Sequence, residues 1–159
     1  MNSNLIEKLL INSYSLSQLR SRVRILRKYI GRKFFGETQT EELDEKESLW
    51  LASLGNDFLN QFDKLNAYEK LGELELAVNQ IKPLIIYIAF DIPQEEIERL
   101  GIWLRAEINP GVLCEIKVDP SLIGGCALSW SGIYKDYSLR AQIQTQREQI
   151  LSGFKQFSL

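Results

Sequence analysis

The feature that most constrains the fold is a change in the spacing of apolar residues at Pro83. Before this residue, apolar side chains recur every three or four positions, which is the spacing of one buried helix face. After it, short β-rich runs are separated by turn residues and helical stretches. The sequence therefore predicts a helical bundle domain over residues 1–81 and an α/β domain over residues 82–159. A chain of 159 residues, 45% of them apolar, can bury a real core.

Four helical stretches are predicted in the first half. The clearest begins at Ser15, which has with Gln18 the spacing of a capping box. A polar, acidic loop follows this helix and leads to a new cap around Thr40 or Asp44, and a later break is expected near Asn66. Each apolar stripe is too narrow to be stable alone, so we expect the helices to pack together. The stripes are Leu5, Leu9, Leu10; Leu16, Leu19, Val23, Leu26, Ile30, Phe34; Leu51, Leu54, Phe58, Phe62, Leu65; and Leu71, Leu74, Val78, Ile81.

The second half predicts strands joined by tight turns, with two helices. The order of these elements gives an α+β fold class, an N-terminal helical bundle followed by a small β-α-β-β-α C-terminal domain. The predicted strands are Leu84 to Phe90, Cys114–Val118 and Cys126–Trp130, and a Ser131-Gly132 hairpin turn leads from the last of them into residues 133–137. The first predicted helix is begun by Asp91-Ile-Pro93 and has Ile97, Leu100, Leu104 and Ile108 inward. The last helix starts at Ser138 and carries Leu139, Ile143, Ile150 and Phe154.

The composition excludes several kinds of chemistry. The chain has no histidine, which removes the commonest general base and the commonest transition-metal ligand. Cys114 and Cys126 lack the Cys-x-x-Cys spacing of redox and zinc sites, and we expect reduced thiols. We therefore predict no catalytic residue, no metal, no cofactor and no small-molecule substrate.

Charge and hydropathy limit which partners and which cellular compartment the sequence allows. The net charge of −2 gives no long-range field that would attract nucleic acid. The longest apolar run, from Pro83 to Phe90, is far shorter than the roughly 20 residues needed to cross a bilayer. The polar start of the chain does not have the pattern of a signal peptide. We expect the protein in the cytoplasm or an equivalent compartment.

Two turn motifs stand out near the C-terminus. Asp119-Pro120-Ser121 predicts a turn, because proline fixes φ and the aspartate side chain can accept from backbone amides further on. The pair Gly124-Gly125 permits a bulge or a close backbone approach, and it lacks the Gly-Lys-Ser/Thr of a phosphate loop. Asp136 and Ser138 lie where the last helix should begin, so capping is the simplest role for both.

A cluster of basic residues marks the second helix, over residues 20–33. Arg20, Arg24, Arg27 and Lys28 share one flank beside the apolar stripe. Three roles stay open for them: a solvated or intramolecular face covered by the acidic stretch from Glu41 to Glu47, a site for an acidic protein partner, or a nucleic-acid or lipid site.

Three tryptophans are not explained by the main stripes. Tryptophan is over-represented at binding hot spots, although partial core burial is the commoner role. If one of them anchors a partner, Trp103 on the flank of a helix or Trp130 near the hairpin is favoured over Trp50.

The C-terminal pattern resembles the delta subunit family of F-type ATP synthases, called OSCP in mitochondria. Asp136 and Ser138 match the family's Asp-x-Ser motif, and the match continues through Leu139-Arg140 into the closing helix. The residues that match the family's turn are Val118, Asp119, Pro120, Ser121, Leu122, Ile123, Gly124 and Gly125.

This resemblance implies a stator subunit that does no chemistry itself. Its helical domain would grip N-terminal segments of the alpha subunits, and its α/β domain would hold the C-terminal end of the b subunits. It would lie peripherally at the cytoplasmic face of the bacterial inner membrane and meet the membrane only through the complex. Two departures from the family pattern are Ser129-Trp130, where relatives commonly carry a basic residue, and a helical half shorter than the usual six helices.

Two other classes of function are alternatives. A free-standing adaptor or nucleic-acid-binding protein would use the arginine-rich helix 20–33 for a different partner. A small α/β hydrolase would need a nucleophile and a base within reach, and the sequence nominates neither.

Overall fold

The computed structural model describes residues 3–11, 13–36 and 43–156, and the chain divides into two compact units, Met1–Ile81 and Lys82–Leu159. The predicted cap at Thr40 and the acidic residues Glu41 and Glu42 lie outside the described residues. The first unit contains α1 (Ser3–Ile11), α2 (Leu16–Phe35), α3 (Glu45–Ser53), α4 (Asn56–Leu59) and α5 (Ala67–Gln80). The second contains β1 (Leu84–Ile88), α6 (Gln94–Glu107), β2 (Cys114–Val118), β3 (Cys126–Trp130), β4 (Ile133–Asp136), α7 (Leu139–Thr145) and α8 (Arg147–Gln156).

The starts of α2 and α3 are fixed by the residues that the sequence indicated. Ser15 accepts from the Gln18 amide at 3.1 Å, while the Gln18 side chain accepts from the amide of Tyr14, one residue earlier than in a standard capping box. Asp44 and Glu47 form a complete capping box at α3. The side chains that face inward across this unit include Leu5, Leu9, Leu19, Leu26, Ile30, Leu51, Phe58, Leu71 and Val78.

The sequence prediction makes the third helix too long. The chain breaks at Gly55, whose φ of 77° is left-handed, so the stripe from Leu51 is divided between α3 and α4. Leu65, predicted on the buried stripe, is 97% exposed. It lies in a turn in which Asp63 Oδ1 accepts from the amides of Leu65 and Asn66, at 2.8 and 2.9 Å.

The second unit is a four-stranded mixed sheet in the order β2-β1-β3-β4. Strands β1 and β2 are parallel and are joined through α6, whereas β1 with β3 and β3 with β4 are antiparallel. One face of the sheet packs with α6 around a core of Leu84, Ile86, Leu104, Val112 and Cys114. The α+β class is confirmed, and β4 is a strand beyond the predicted β-α-β-β-α order.

Three details of this unit differ from the sequence prediction. Strand β1 ends at Ile88, whose carbonyl accepts from the Asp119 amide, and Phe90 beyond it is exposed. Ile108, predicted inward, is exposed because α6 ends one residue before it. The last helix is two helices, since Gln146 ends α7 in a non-helical conformation and α8 begins at the next residue.

Candidate protein-docking surfaces

The sequence motif near the C-terminus forms one hydrogen-bonded cluster, here the motif cluster, of Asp119, Ser121, Asp136, Ser138 and Arg140. Asp119 caps a short 3-10 turn over Pro120–Leu122 and accepts from the Ser121 amide at 3.0 Å and from its hydroxyl at 2.6 Å. Arg140 donates to the same Ser121 hydroxyl at 2.7 Å and lies 3.6 Å from Asp136 Oδ2. The turn after β2 is thereby tied to the first turn of α7.

The start of α7 is built from two local caps. Asp136 Oδ1 accepts from the Ser138 amide at 2.8 Å, and the fully buried Ser138 Oγ accepts from the Ala141 amide at 3.1 Å. The capping role predicted for Ser138 is confirmed. Because α7 has this fixed start, the Gly124 carbonyl can accept from the Leu139 amide at 2.9 Å.

The second glycine of the motif is required by a close backbone approach. Gly125 has a φ of 72°, and a Cβ atom placed on it would lie 2.6 Å from the carbonyl oxygen of Tyr137. Only glycine fits this position without a shift of the backbone. A Cβ on Gly124 would make an ordinary contact of 3.8 Å with Leu139.

Hydrogen bonding lowers the pKa of both aspartates in the motif cluster. For Asp119 the main cause is the Ser121 hydroxyl, followed by the Ser121 amide. For Asp136 the main cause is the Ser138 side chain, followed by its amide, and Arg140 adds a smaller Coulombic contribution in both cases. These carboxylates are therefore held ionised as acceptors, which is a structural role and not that of a general acid.

The two branched residues of the motif behave differently. Leu122 is fully buried, whereas Ile123 is 63% exposed and has a φ of 68°. A β-branched residue at positive φ is strained, and here no burial of its side chain offsets that strain. The turn thus holds an apolar side chain out in solvent.

Helices α7 and α8 and the turn that precedes β3 expose several apolar side chains. Among the described residues of the second unit, α8 packs mainly with α7, and α7 with the 3-10 turn. Because contiguous exposed apolar patches mark protein interaction sites, these residues make the two helices a candidate docking surface. We call this set the C-terminal apolar surface; it comprises Ile123, Leu139, Ile143, Ile150, Leu151 and Phe154.

The arginine-rich helix α2 forms one wall of an open groove, and α5 forms the other. Arg27 is paired with Glu75 of α5 at 2.5 Å. Lys28, predicted on the same flank, is half-buried outside the groove lining. We call this the arginine groove; its lining residues are Arg20, Val23, Arg24, Arg27, Glu75, Val78 and Asn79.

The comparison that decides the family covers the sheet and the motif cluster. The family model of the ATP synthase delta (OSCP) subunit matches residues 59–150, which is more than half of the chain. The chain belongs to the ATP synthase delta (OSCP) subunit family. The matched range begins in α4, so α1 to α3 lie outside it.

A curated relative is also similar to this delta-family chain. The ATP synthase subunit b 1 of Marinomonas sp. (strain MWYL1) is 25% identical over 99 residues. The alignment covers 62% of this chain and 37% of that protein, so the chain spans well under half the length of the curated relative it matches.

The tryptophans of this delta-family chain occupy different environments. Trp103 on α6 is 57% exposed and Trp130 at the end of β3 is 42% exposed, so both can reach a partner. Trp50 is half-buried, with the Arg22 guanidinium 5.4 Å from its ring centre. Its indole Nε1 is buried, with no hydrogen-bond partner in the part of the chain that the structure describes.

The described ranges were compared with the patterns of metal sites, disulfides and membrane-spanning helices. No group of three or more Cys, Asp or Glu side chains in residues 3–11, 13–36 and 43–156 is arranged to hold a metal ion. Both cysteines are free thiols, and burial raises the pKa of Cys114. No helix among these residues is long and apolar enough to span a membrane.

Two features of the surfaces were missed by sequence reasoning. Arg140 was matched to the family only as part of the closing helix, and its contact with Asp136 was missed because Asp136 precedes that helix, at the end of β4. Glu75 was missed because its pairing with Arg27 joins residues 48 positions apart. No local pattern in the sequence reveals such a contact.

Proposed function

We propose that this chain is a stator connector of a bacterial F-type ATP synthase, which joins the catalytic head to the peripheral stalk and does no chemistry itself. The observation that carries the proposal is the delta (OSCP) family match over residues 59–150. A stator has to oppose the torque of the rotor, so it needs durable interfaces and no reactive group. Its place would be peripheral, at the cytoplasmic face of the inner membrane.

The C-terminal apolar surface supports a docking role for the second unit. Its residues are exposed on α7, on α8 and at the end of the turn that the motif cluster ties to the first turn of α7. An amphipathic partner helix can bury such a surface by laying its own apolar side against it. We assign this role to the C-terminal segments of the b subunits, because membership of the delta (OSCP) family implies partners of the ATP synthase complex.

The helical unit would take the other attachment, to N-terminal segments of the alpha subunits. It offers outward-facing side chains on α2 and α5 while its apolar stripes are buried. Nanomolar affinity corresponds to about −12 kcal/mol, and a standard interface buries roughly 1,600 Å² in total. Two attachments of that size give a link that outlasts many turns of the rotor.

The adaptor alternative makes a different prediction for the same chain. A nucleic-acid-binding protein would leave its arginines free for phosphates, whereas here Glu75 stands inside the arginine groove and pairs with Arg27. That carboxylate would repel a phosphate backbone. The stator is therefore the better supported proposal.

A binding experiment tests the proposal. The purified chain is immobilised, and the alpha–beta head and the soluble part of subunit b from the same organism are passed over it separately and together. We expect each to bind and the two to be held at once. If neither binds, or if each displaces the other, the chain is not a connector.

A further inference from the structure

We infer that α7 and α8 are two halves of one helix with a hinge at Gln146, and that they join when the C-terminal apolar surface is covered. The arrangement in the structure is here the broken form, and a single helix over residues 139–156 is the joined form. The inference rests on the proposed function for the identity of the partner, subunit b. It goes further because it assigns a change of conformation to the docking site itself.

The apolar residues of α7 and α8 have the spacing of one uninterrupted helix. Leu139 and Ile143 are four residues apart on α7, Ile150 and Phe154 are four apart on α8, and seven residues separate the two pairs. On a single helix all four side chains would lie within an arc of about 60°. All four are exposed in the broken form. The break therefore divides a stripe that is continuous in the sequence.

The backbone at Gln146 is already close to helical geometry. Its φ of −100° and ψ of 10° need rotations of about 40° and about 50° to become helical. The Gln146 amide donates to the Gln142 carbonyl, and the Gln146 carbonyl accepts from the Ile150 amide, both at 3.0 Å and both over the four-residue step of an α-helix. Residues 144–148 include neither glycine nor proline, so a continuous helix can pass through them.

Thr145 supplies a local cause for the break. Its hydroxyl donates to the Ala141 carbonyl at 2.9 Å, four residues earlier in the chain. Such a bond from threonine to the preceding turn slightly destabilises a helix and often bends it. The branched Cβ of threonine adds a further, small cost in a helix. The broken form is thus favoured by weak local terms, which the burial of an apolar stripe can outweigh.

Joining the two helices also stabilises α8. This helix has 10 residues and packs mainly with α7 in the described part of the second unit. Isolated helices shorter than about 12–15 residues are marginal in water. The joined form would be about 27 Å long and would present the whole stripe to a helix of the partner. Because the stripe is buried only in the complex, the partner binds the joined form more tightly and shifts the equilibrium toward it.

Three variants near the hinge test the inference on the full chain. Arg147→Pro traps the broken form, because proline fits at the first residue of α8 but breaks a continuous helix. Arg147→Ala is the matched control, since it removes the same exposed side chain and permits the joined form. Thr145→Ala removes the bond to Ala141 and favours the joined form.

Hydrogen exchange of the Glu148 and Gln149 amides, followed by nuclear magnetic resonance, reports the joined form. Both lie in the first turn of α8, where amides have no partner within that helix, whereas a continuous helix bonds them to the carbonyls of Gln144 and Thr145. In the free chain we expect Thr145→Ala to slow their exchange about two- to threefold relative to wild type. Protection of the sheet amides verifies that each variant is folded.

A titration with the soluble part of subunit b measures the effect on docking. When subunit b is bound, exchange of the same two amides in wild type should slow by about tenfold or more. Arg147→Pro should bind about tenfold more weakly than Arg147→Ala, and Thr145→Ala a few-fold more tightly than wild type, because only the first change prevents the joined form.

The outcomes separate this inference from the proposed function. The hinge is overturned if Arg147→Pro binds subunit b as Arg147→Ala does, if the two amides exchange equally fast in the complex, or if Thr145→Ala leaves their exchange in the free chain unchanged. If subunit b binds none of these proteins, wild type included, the proposed function fails instead. The exchange of Thr145→Ala in the free chain then still decides whether the hinge exists.

Discussion

The guanidinium of Arg140 donates to the hydroxyl of Ser121, 19 residues earlier in the chain, at 2.7 Å. This bond joins the turn after β2 to the first turn of α7. Together with the close approach of Gly125 to Tyr137, it explains why the residues that resemble the delta family occur together. They fix the position from which α7 and the C-terminal apolar surface project.

Gly125→Ala should destabilise the protein by about 2 kcal/mol or more, because the new Cβ meets the Tyr137 carbonyl at a positive φ. Urea unfolding measures the change. Gly132→Ala is the matched control, since Gly132 also has a positive φ but has nothing within 4 Å of its Cβ position. Equal losses for the two variants would show that the close approach is unimportant.

Ser138→Ala should cost about 1 kcal/mol of unfolding free energy, because the Ala141 amide loses its capping acceptor. Ser152→Ala on α8 removes a hydroxyl that only donates to the Gln149 carbonyl, and its effect should stay within about 0.5 kcal/mol. Chemical denaturation of both variants checks this. A Ser138 variant as stable as the Ser152 variant would contradict the capping role.

Acid should weaken the motif cluster. The pKa values of Asp119 and Asp136 are lowered in the folded chain, so the unfolded chain binds more protons at acid pH. Their stabilisation is present above about pH 4 and is lost as the pH falls through the lower folded-state values. The free energy of unfolding of D119N/D136N should therefore fall less than that of wild type as the pH is lowered.

A second variant separates the causes of that acid dependence. Arg140→Gln removes the positive charge but keeps both serines, which make the larger contribution to each lowered pKa. Denaturant unfolding at several acid pH values should give this variant most of the wild-type slope of unfolding free energy against pH. If instead Arg140→Gln flattens the slope as much as D119N/D136N does, the arginine is the main cause.

Ile123→Gly should raise stability by about 1 kcal/mol, because glycine relieves the strain of a β-branched residue at positive φ. The same change should weaken binding of subunit b, because it removes an exposed apolar side chain from the docking surface. Thermal unfolding and a titration with subunit b measure the two effects. Stabilisation with unchanged binding would exclude Ile123 from the interface.

Ile143→Asp with Ile150→Asp should abolish binding of subunit b while the protein stays folded, because both side chains are exposed on the C-terminal apolar surface. Leu65→Asp is the control, since Leu65 is a still more exposed apolar residue in the other unit. A titration of each variant with subunit b distinguishes them. Equal affinity for all three proteins would move the docking site elsewhere.

Local chemistry explains how much of the fold could be predicted. The bounds of β2 and β3 follow from apolar alternation between turn residues, and Ser15 and Asp44 were identified by capping patterns that depend only on near neighbours. The break at Gly55 and the exposed Leu65 were missed because helical spacing continues through them. A turn closed by Asp63 interrupts the helix without changing that spacing.

The candidate surfaces were predictable only in part. The sequence identified the arginines of α2 and the residues of the motif cluster, but the contacts of Arg140 with Ser121 and of Arg27 with Glu75 join distant segments. Exposure of Ile143 and Ile150 depends on what packs against α7 and α8, and periodicity alone cannot show whether an apolar stripe is covered.

The most direct test of the stator proposal is proton pumping by membranes of the source organism from which this subunit has been removed. ATP hydrolysis by such membranes should continue without pumping, because an untethered head turns with the rotor. Adding the purified chain should restore ATP-driven pumping. Pumping that is equally strong without the chain, or that stays absent after the chain has bound, would contradict the stator role.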